Sequence, residues 1–442
     1  MSAVASQQGL RHELLDRIQE ARRRTDELFE IVRPEARYDR PIPERHRIIF
    51  YIGHLEAFDW NLMRERLFSL PAFDPDLDRL FAFGIDPVGG GLPTDKSSDW
   101  PAEEKVREYV ARVRQTLDDE LDVLLSSDRE PTEFSPELLL NVAIEHRLMH
   151  AETLAYMLHQ LPYDRKISPS PQSHATRAPH TPGMIRIPAG RATLGLSRDS
   201  GEFGWDNEFE EHTVDVPEFS IDRFKVTNGE FLEFLKAGGY QNRALWSDAD
   251  WQWVSSHGVS HPAFWKREGD GWRFRGMFEE ASLPLDAPVY VSHAEAEAFA
   301  RWKGKALPSE AQWHRAAYGT PDGSERQFPW GEDLPSRTRG NFNFSRWDPA
   351  PTTAFEAGNS AWGVSDLLGN GWEWTSTLFA PFAGFERFPF YPGYSADFFD
   401  GKHFVLKGGS ARTASCMLRR SFRNWFQPHY QYVYAGFRCV NA

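Results

Sequence analysis

Three histidines have the residue type and spacing of a metal site. His146 and His150 stand four residues apart within Asn141–Leu161, so on an α-helix both side chains project from one face. Glu152 follows and completes an H-x-x-x-H-x-E pattern. Such a pair also occurs by coincidence on amphipathic helices, but a third histidine, His54, interrupts another apolar helical stretch. Three neutral imidazoles at one point suit iron(II), zinc or copper and leave coordination positions open for chemistry.

The elements that would position these histidines are predicted over residues 1–165. Apolar residues at helical spacing indicate four helices, within about residues 10–32, 45–67, 100–124 and 136–161. Ser135 and Pro136 form a typical start for the fourth helix, as N-cap and first helical residue. Four-helix bundles commonly build metal sites from facing helices. We therefore expect His54 on the second helix to meet His146 and His150 on the fourth.

The second half of the chain has a different character. Residues 166–182 are rich in Pro and Ser without apolar periodicity, which is typical of a linker. Beyond it, short alternating segments predict strands, and helices are indicated near 227–237, near 292–303 and from 309. The prediction is an α+β protein with two domains, residues 1–165 and 183–442.

Composition limits the partners and the compartment. The 442 residues carry a net charge of −14, which disfavours nucleic acid and anionic membranes and favours small-molecule substrates. The N-terminus lacks the apolar core of a signal peptide, and no stretch is long enough to span a membrane. Two cysteines cannot build a disulfide framework. We expect a cytoplasmic protein.

An ordered series of motifs in the second domain resembles the formylglycine-generating-enzyme, or sulfatase-modifying-factor, family. The resemblance spans about Met184 to Val440 and rests on MIRIPAGRATLG, FKVTNGEFLEFL, ALPSEAQWHRAAYG, GVSDLLGNGWEWTS, VLKGGSA and AGFRCV. It implies a C-type-lectin-like α+β fold. Oxidase members carry two reactive cysteines after the G-G-S motif, and the matching positions are Thr413 and Leu418, with Cys416 out of register. Copper-dependent formylglycine formation is therefore not expected.

The first domain is similar to DinB-like bundles, and the two domains in this order resemble the ergothioneine-biosynthesis sulfoxide synthases and their relatives, which include selenoneine synthases. The resemblance covers nearly the whole chain. It implies that His54, His146 and His150 bind a non-haem iron(II). It also implies an enzyme that uses O₂ to join a sulfur or selenium donor to C2 of the imidazole ring of hercynine, the trimethylated betaine of histidine.

The same resemblance suggests substrate-binding residues in the second domain. The stretch FPFYPGYSADFF offers Tyr391 as the catalytic proton donor and Tyr394 as a hercynine contact, although either tyrosine could equally be a packed core residue. In SFRNWF, Asn424 and Trp425 match positions that line the pocket for the hercynine carboxylate and ammonium groups. An aromatic face suits a trimethylammonium group.

Three departures from the family pattern concern the donor. Members that use γ-glutamylcysteine carry arginines in the loop that here spans residues 83–100, which contains only Lys96 as a basic residue. Phe426 stands where an acidic residue is expected, and Met149 where a glutamine is expected. A γ-glutamylcysteine pocket is therefore not expected. Free cysteine remains open, and the nearly uncharged surroundings slightly favour a selenosugar.

Two hypotheses from other classes stay open on the sequence alone. A DinB-like zinc enzyme that activates a thiol or water would explain the histidines but would leave the second domain without a role. If the protein is instead a binding module, with a lectin-like recognition domain and a structural bundle, the histidines have no role. Iron content together with O₂ consumption separates the iron enzyme from both.

Overall fold

The computed structural model of the protein describes residues 2–82, 92–126, 133–169 and 182–441. The chain forms two compact units, Met1–Pro171 and Gln172–Ala442. Most of the predicted linker, residues 170–181, lies outside the described residues. So does the Gly-rich part, residues 83–91, of the loop that spans residues 83–100. The domain boundaries at 165 and 183 remain predictions. Among the described helices, none combines the length and the apolar character that crossing a membrane requires.

The described part of the N-terminal unit has four long helices and a short one. They are α1 (Ser2–Glu30), α2 (Ile48–Met63), α3 (Pro75–Leu80), α4 (Glu103–Ser126) and α5 (Pro136–His159). Helix α5 begins as predicted, because the Ser135 side chain accepts a hydrogen bond from the Leu138 N–H and Pro136 follows the cap. Helix α3 and a π-helical turn at Arg64–Phe68 were not predicted.

The packing of the helices explains where the histidines lie. Helix α1 packs on α5 and α2 packs on α4, while α2 also contacts α5. Helix α2 is buried along nearly all its residues, in agreement with its almost continuous apolar sequence. His54 lies in the middle of this helix, and α5 is buried around His146 and His150 as well. All three imidazoles therefore lie inside the bundle.

The described part of the C-terminal unit has short strands in four small sheets. The strands are β1 (Met184–Ile187), β2 (Gly190–Leu194), β3 (His212–Val216), β4 (Phe219–Asp222), β5 (Trp265–Glu268), β6 (Gly271–Arg275), β7 (Glu280–Ser282), β8 (Trp372–Leu378), β9 (Phe404–Lys407), β10 (Asn424–Phe426), β11 (Ala435–Gly436) and β12 (Val440–Asn441). The sheets have the orders β1-β4-β12, β10-β9-β8-β11, β2-β3 and β5-β6-β7. Strand β10 lies at an edge of the largest sheet and pairs antiparallel with β9.

Four helices complete this unit: α6 (Asn228–Lys236), α7 (Asp248–His257), α8 (His293–Trp302) and α9 (Glu310–Tyr318). Helices α6, α8 and α9 start where the sequence predicts, after the N-caps Thr227, Ser292 and Ser309. Each cap forms a capping box, with the third helical residue bonding back to the cap residue. Helix α7 and the β5–β7 sheet were not predicted, because their aromatic residues follow no helical or strand period.

Candidate functional site

The structure brings the three predicted metal ligands together. His54 on α2 and the pair His146 and His150 on α5 offer ring nitrogens that all lie within 4.8 Å of one another. The Nε2 atoms of His146 and His150 are 3.1 Å apart, and those of His54 and His150 are 3.3 Å apart. In the described parts of the chain, this is the one group of three or more His, Cys, Asp or Glu side chains so arranged.

Hydrogen bonding fixes the tautomer of His54. Its Nδ1 atom lies 2.7 Å from the carbonyl oxygen of Phe81, which can only accept. Nδ1 of His54 therefore carries the proton, and the Nε2 lone pair faces the other two imidazoles. A carbonyl that orients a ligating imidazole through its distal nitrogen is a common feature of metal sites.

Burial keeps the three imidazoles neutral. It lowers the pKa of His54 from 6.5 to about 4, with Arg147 and His46 adding to the shift. Burial also places the pKa values of His146 and His150 well below 6.5, and neighbouring cationic groups act in the same direction. Neutral imidazole is the form that binds metal ions. The three neutral nitrogen donors therefore fit a divalent metal such as iron(II) or zinc, and that they bind one remains a prediction.

Aromatic rings hold the imidazoles in orientation. Phe58 stacks on His146 with ring centroids 3.4 Å apart, and Phe50 stacks on His54 at 4.8 Å. Gly53 allows Phe81 to approach, because a Cβ atom at this position would lie 2.5 Å from the Phe81 ring. The absence of a side chain at residue 53 thus lets the residue that orients His54 reach its position.

A buried arginine connects the two helices that carry the ligands. Arg147, next to His146 on α5, donates to the Leu55 carbonyl at 3.0 Å and bonds the carboxylates of Glu56 at 2.9 Å and Asp59 at 2.6 Å, all on α2. Although burial favours the neutral acid, Arg147 and Arg114 keep the pKa of Glu56 below its usual value. These bonds fix the spacing and rotation of α2 against α5.

The other two predicted residues of the N-terminal unit lie close to the ligands along α5. Glu152, the last residue of the H-x-x-x-H-x-E pattern, is buried two positions after His150. Met149 immediately precedes His150 and is half-buried. That Met149 contributes to substrate binding remains a prediction.

In the C-terminal unit, three of the predicted substrate residues belong to one aromatic group. Tyr394 stacks on the buried Trp205 at 3.9 Å and meets Trp425 edge-on at 5.5 Å. Tyr391 lies 5.7 Å from Tyr394, measured between ring centroids. Tyr391 and Trp425 are half-buried, while Tyr394 is 8% exposed. Tyr391 is thus the more accessible of the two tyrosines.

The remaining two predicted residues flank Trp425 on strand β10. Side chains alternate along a strand, so Asn424 and Phe426 face away from Trp425. The Asn424 Oδ1 atom accepts a hydrogen bond from the Trp425 N–H at 2.9 Å. Phe426 stacks on Tyr430 with centroids 5.1 Å apart and planes 7° apart. The structure therefore groups Trp425 with Tyr391 and Tyr394, and places Phe426 in a second aromatic stack.

The sequence motifs did not single out Gly53, Phe81, Arg147 or Trp205. The Phe81 carbonyl has no sequence signal, since every residue has one. Trp205 belongs to a GWDNE stretch far from the tyrosines in sequence, so only the fold brings them together. An arginine next to His146, within the largely apolar stretch of α5, was a usable signal for Arg147, because buried charges need partners.

Comparisons with known proteins agree with this two-part architecture. The sulfatase-modifying factor enzyme 1-like domain family matches residues 170–442, and the DinB superfamily matches residues 17–154. The hercynine oxygenase of Mycolicibacterium thermoresistibile is 33% identical over 440 residues, which are 97% of this chain and 94% of that protein. The hercynine oxygenase of Mycolicibacterium smegmatis is 36% identical over 82% of this chain and 83% of its own length.

A more distant relative, ergothioneine biosynthesis protein 1 of Neurospora crassa, is 27% identical over 92% of this chain and 55% of that protein. The predicted fold, a DinB-like bundle followed by a sulfatase-modifying-factor domain, is confirmed by the two family matches. Because relatives above 30% identity span nearly its whole length, this chain belongs to the hercynine oxygenase family.

Proposed function

We propose that this protein is an iron(II)- and O₂-dependent enzyme that joins a sulfur or selenium donor to C2 of the hercynine imidazole ring. The observation that carries the proposal is the buried cluster of His54, His146 and His150 in a chain with hercynine oxygenases among its relatives. In the sulfur case the thiol and the C2–H bond each give up one hydrogen. One oxygen atom of O₂ becomes the sulfoxide oxygen, and the other leaves as water with both hydrogens.

His54, His146 and His150 would hold the iron through neutral nitrogens. When bound, iron supplies the redox chemistry and open coordination positions that O₂ activation requires. Burial keeps the three imidazoles neutral, and the Phe81 carbonyl keeps the His54 lone pair directed at the other two rings. The zinc-dependent thiol transferase or hydrolase remains the alternative, because the same three nitrogens also suit zinc.

Tyr391 is our candidate for the proton donor, since it is more exposed than its neighbour Tyr394 and still belongs to the same aromatic group. Tyr394 would contact hercynine. The half-buried indole of Trp425 would present a face to the trimethylammonium group, an arrangement that cation–π attraction favours. Asn424 would bond the hercynine carboxylate through its amide N–H, because its oxygen already accepts from the backbone.

For the donor we favour a selenosugar over γ-glutamylcysteine, with free cysteine as the other candidate. Carboxylates of γ-glutamylcysteine need cationic partners, and the sequence of residues 83–100 has no arginine. Phe426 and Tyr430 form a flat aromatic stack where the family pattern has a charged residue. Aromatic faces suit uncharged rings such as sugars better than they suit carboxylates. Met149 is a further departure from the family pattern, since it stands where a glutamine is expected.

A donor competition tests the proposal. Iron(II)-loaded protein receives hercynine and O₂ with a selenosugar, cysteine or γ-glutamylcysteine, and products are identified by mass spectrometry while O₂ consumption is recorded. A selenium adduct alone would support selenoneine synthesis, and a cysteine or γ-glutamylcysteine sulfoxide would move the protein to ergothioneine-type synthesis. If no donor gives a product and the purified protein contains zinc, the iron enzyme is rejected in favour of the zinc alternative.

A further inference from the structure

The segment with both candidate tyrosines is fastened to a turn far from it in sequence. We call Phe388–Ser395 the tyrosine loop and Trp205–Glu208 the anchor turn. The buried indole of Trp205 stacks on Tyr394 with planes 24° apart. The Asp206 carboxylate accepts a hydrogen bond from the Ser395 hydroxyl at 2.6 Å, and both side chains are fully buried.

The anchor turn holds the tyrosine loop at both ends. Ser395, which bonds Asp206, is the last residue of the loop. At the other end, the ring of Phe388, its first residue, lies 6.2 Å from the Trp205 indole, measured between ring centroids. Asp206 thus bonds the last residue of the loop and Trp205 contacts the first, and Tyr391 and Tyr394 lie between these two points.

The anchor turn also binds the chain that leads into Trp425. The Glu208 carboxylate is buried and accepts from Arg419 Nε at 2.8 Å and from the Ser421 hydroxyl at 2.6 Å. The same carboxylate closes the turn by accepting from the Trp205 N–H at 2.8 Å. The anchor turn is therefore bonded on one side to the tyrosine loop and on the other to residues 419–421, just before β10.

We propose that Trp205, Asp206 and Glu208 are positioning residues that set Tyr391 and Tyr394 against Trp425 and thereby determine hercynine affinity. This inference rests on the proposed function for its substrate. The anchor turn would act without touching substrate: it fixes two otherwise irregular segments at a common point. Removing the Asp206 carboxylate takes away the hydrogen bond that fixes the last residue of the loop.

The test compares variants at the base of the tyrosine loop in the full-length, iron(II)-loaded protein. Asp206→Ala removes the acceptor, Ser395→Ala removes the donor, and Asp206→Asn keeps an oxygen that can accept from Ser395. Asp322→Ala is the matched control, because Asp322 also accepts from a serine hydroxyl, that of Ser324 at 2.7 Å, in a different turn. The measurements are amide hydrogen exchange over residues 388–398 and anaerobic hercynine binding by calorimetry.

We expect exchange over residues 388–398 to accelerate in Asp206→Ala and Ser395→Ala, and to stay close to the wild-type rate in Asp206→Asn and Asp322→Ala. Loss of one buried hydrogen bond should weaken hercynine binding about tenfold. The Asp206→Ala/Ser395→Ala double variant should bind no more weakly than either single variant, since both remove the same bond.

Unchanged exchange in both alanine variants would overturn the anchoring. Faster exchange with unchanged hercynine affinity would mean that the anchor turn only holds the loop in place, and would overturn the proposal that it determines hercynine affinity. A wild-type protein that fails to bind hercynine would overturn the proposed function together with the hercynine role, while the exchange data would still decide whether the turn fastens the loop. The two failures are therefore distinguishable.

Discussion

At the scale of single residues, the orientation of His54 depends on Gly53, which has no side chain and so leaves room for Phe81. A methyl group at residue 53 would lie 2.5 Å from the Phe81 ring, so Gly53→Ala must displace that ring, and we expect the Phe81 carbonyl to shift with it. We expect a loss of about 1–3 kcal/mol in unfolding free energy from overpacking. Metal affinity should fall about 10–100-fold, as is usual when the hydrogen-bond partner of a ligand is lost. Denaturant unfolding and competition against a metal indicator measure the two effects.

Gly183→Ala is the control, because a Cβ atom there would meet nothing within 4 Å. It should leave both quantities unchanged. If Gly53→Ala binds metal as tightly as the wild type, the Phe81 carbonyl does not orient His54 for metal binding, and the role assigned to that hydrogen bond is wrong.

The clustering of the three histidines could be predicted from the sequence, whereas the Phe81 carbonyl and the Trp205–Tyr394 pair could not. The spacing of His146 and His150 encodes a shared helix face, and His54 was conspicuous as an imidazole in a largely apolar stretch. The Phe81 carbonyl belongs to the backbone and carries no residue-specific signal. The pairing of Trp205 with Tyr394 depends on a fold with small sheets and long connections, whose tertiary contacts follow no sequence period.

At the scale of elements, Arg147 holds α2 against α5. Its guanidinium is 2% exposed and bonds Glu56 and Asp59, which are 1% and 2% exposed. Arg147→Ala leaves two buried carboxylates without their main cation, so the unfolding free energy should fall by about 3–5 kcal/mol. Since the ligands lie on these two helices, metal affinity should fall with it. Urea unfolding and metal titration of the same sample provide both numbers.

Arg79→Ala is the comparison, because Arg79 pairs with Asp76 in an ion pair whose side chains are 77% and 87% exposed. It should change stability by less than about 1 kcal/mol. A similar small loss for Arg147→Ala would show that solvent or a rearranged partner compensates the carboxylates, and that the ion pairs do not fix the two helices.

A buried carboxyl group next to strand β8 gives a pH-dependent prediction. Burial raises the pKa of Asp366 to about 6, although Lys225 and Asn370 act against the shift. The folded state therefore holds a proton between pH 4 and 6 that the unfolded state has released, so stability is lost as pH rises through this range. Asp366→Asn cannot titrate at this position. Its unfolding free energy relative to that of the wild type should therefore be up to about 3 kcal/mol higher at pH 8 than at pH 4.

Urea unfolding at pH 4, 6 and 8 measures the difference between Asp366→Asn and the wild type. Asparagine suits this residue, whose φ of 56° lies in the left-handed region that Asn tolerates. A difference that stays constant across the three pH values would mean that Asp366 is ionised in the folded protein, with Lys225 and Arg438 outweighing its burial.

Elements differ in how far sequence could predict them. Helices α5, α6, α8 and α9 have side-chain caps followed by a helical pattern, so their starts were predicted to within about one residue. Helix α7 is also capped, by Ser247, but its apolar residues Trp251, Trp253 and Val254 form no continuous stripe. Its helical state depends on tertiary packing of Trp253 and Val254, which are buried.

At the scale of the whole molecule, the candidate metal ligands lie in only one of the two compact units. All three candidate ligands belong to the unit Met1–Pro171, so a metal that binds only the folded state should stabilise that unit directly. At a free metal concentration 100 times the Kd, the gain is about 2.7 kcal/mol. Multidomain chains often unfold in more than one step, which calorimetry can resolve.

We expect two calorimetric transitions in the full-length protein, assigned by variants that lie in different units. Gly53→Ala should lower the transition of the N-terminal unit, and Asp366→Asn should shift that of the C-terminal unit at pH 8. Added zinc, chosen because it is inert to O₂, should raise the transition temperature of the N-terminal unit alone. The shift should vanish in His146→Ala and persist in His257→Ala, since His257 is an exposed histidine at the end of α7. Equal shifts of both transitions, or a shift that survives in His146→Ala, would place the stabilising metal somewhere other than the three imidazoles.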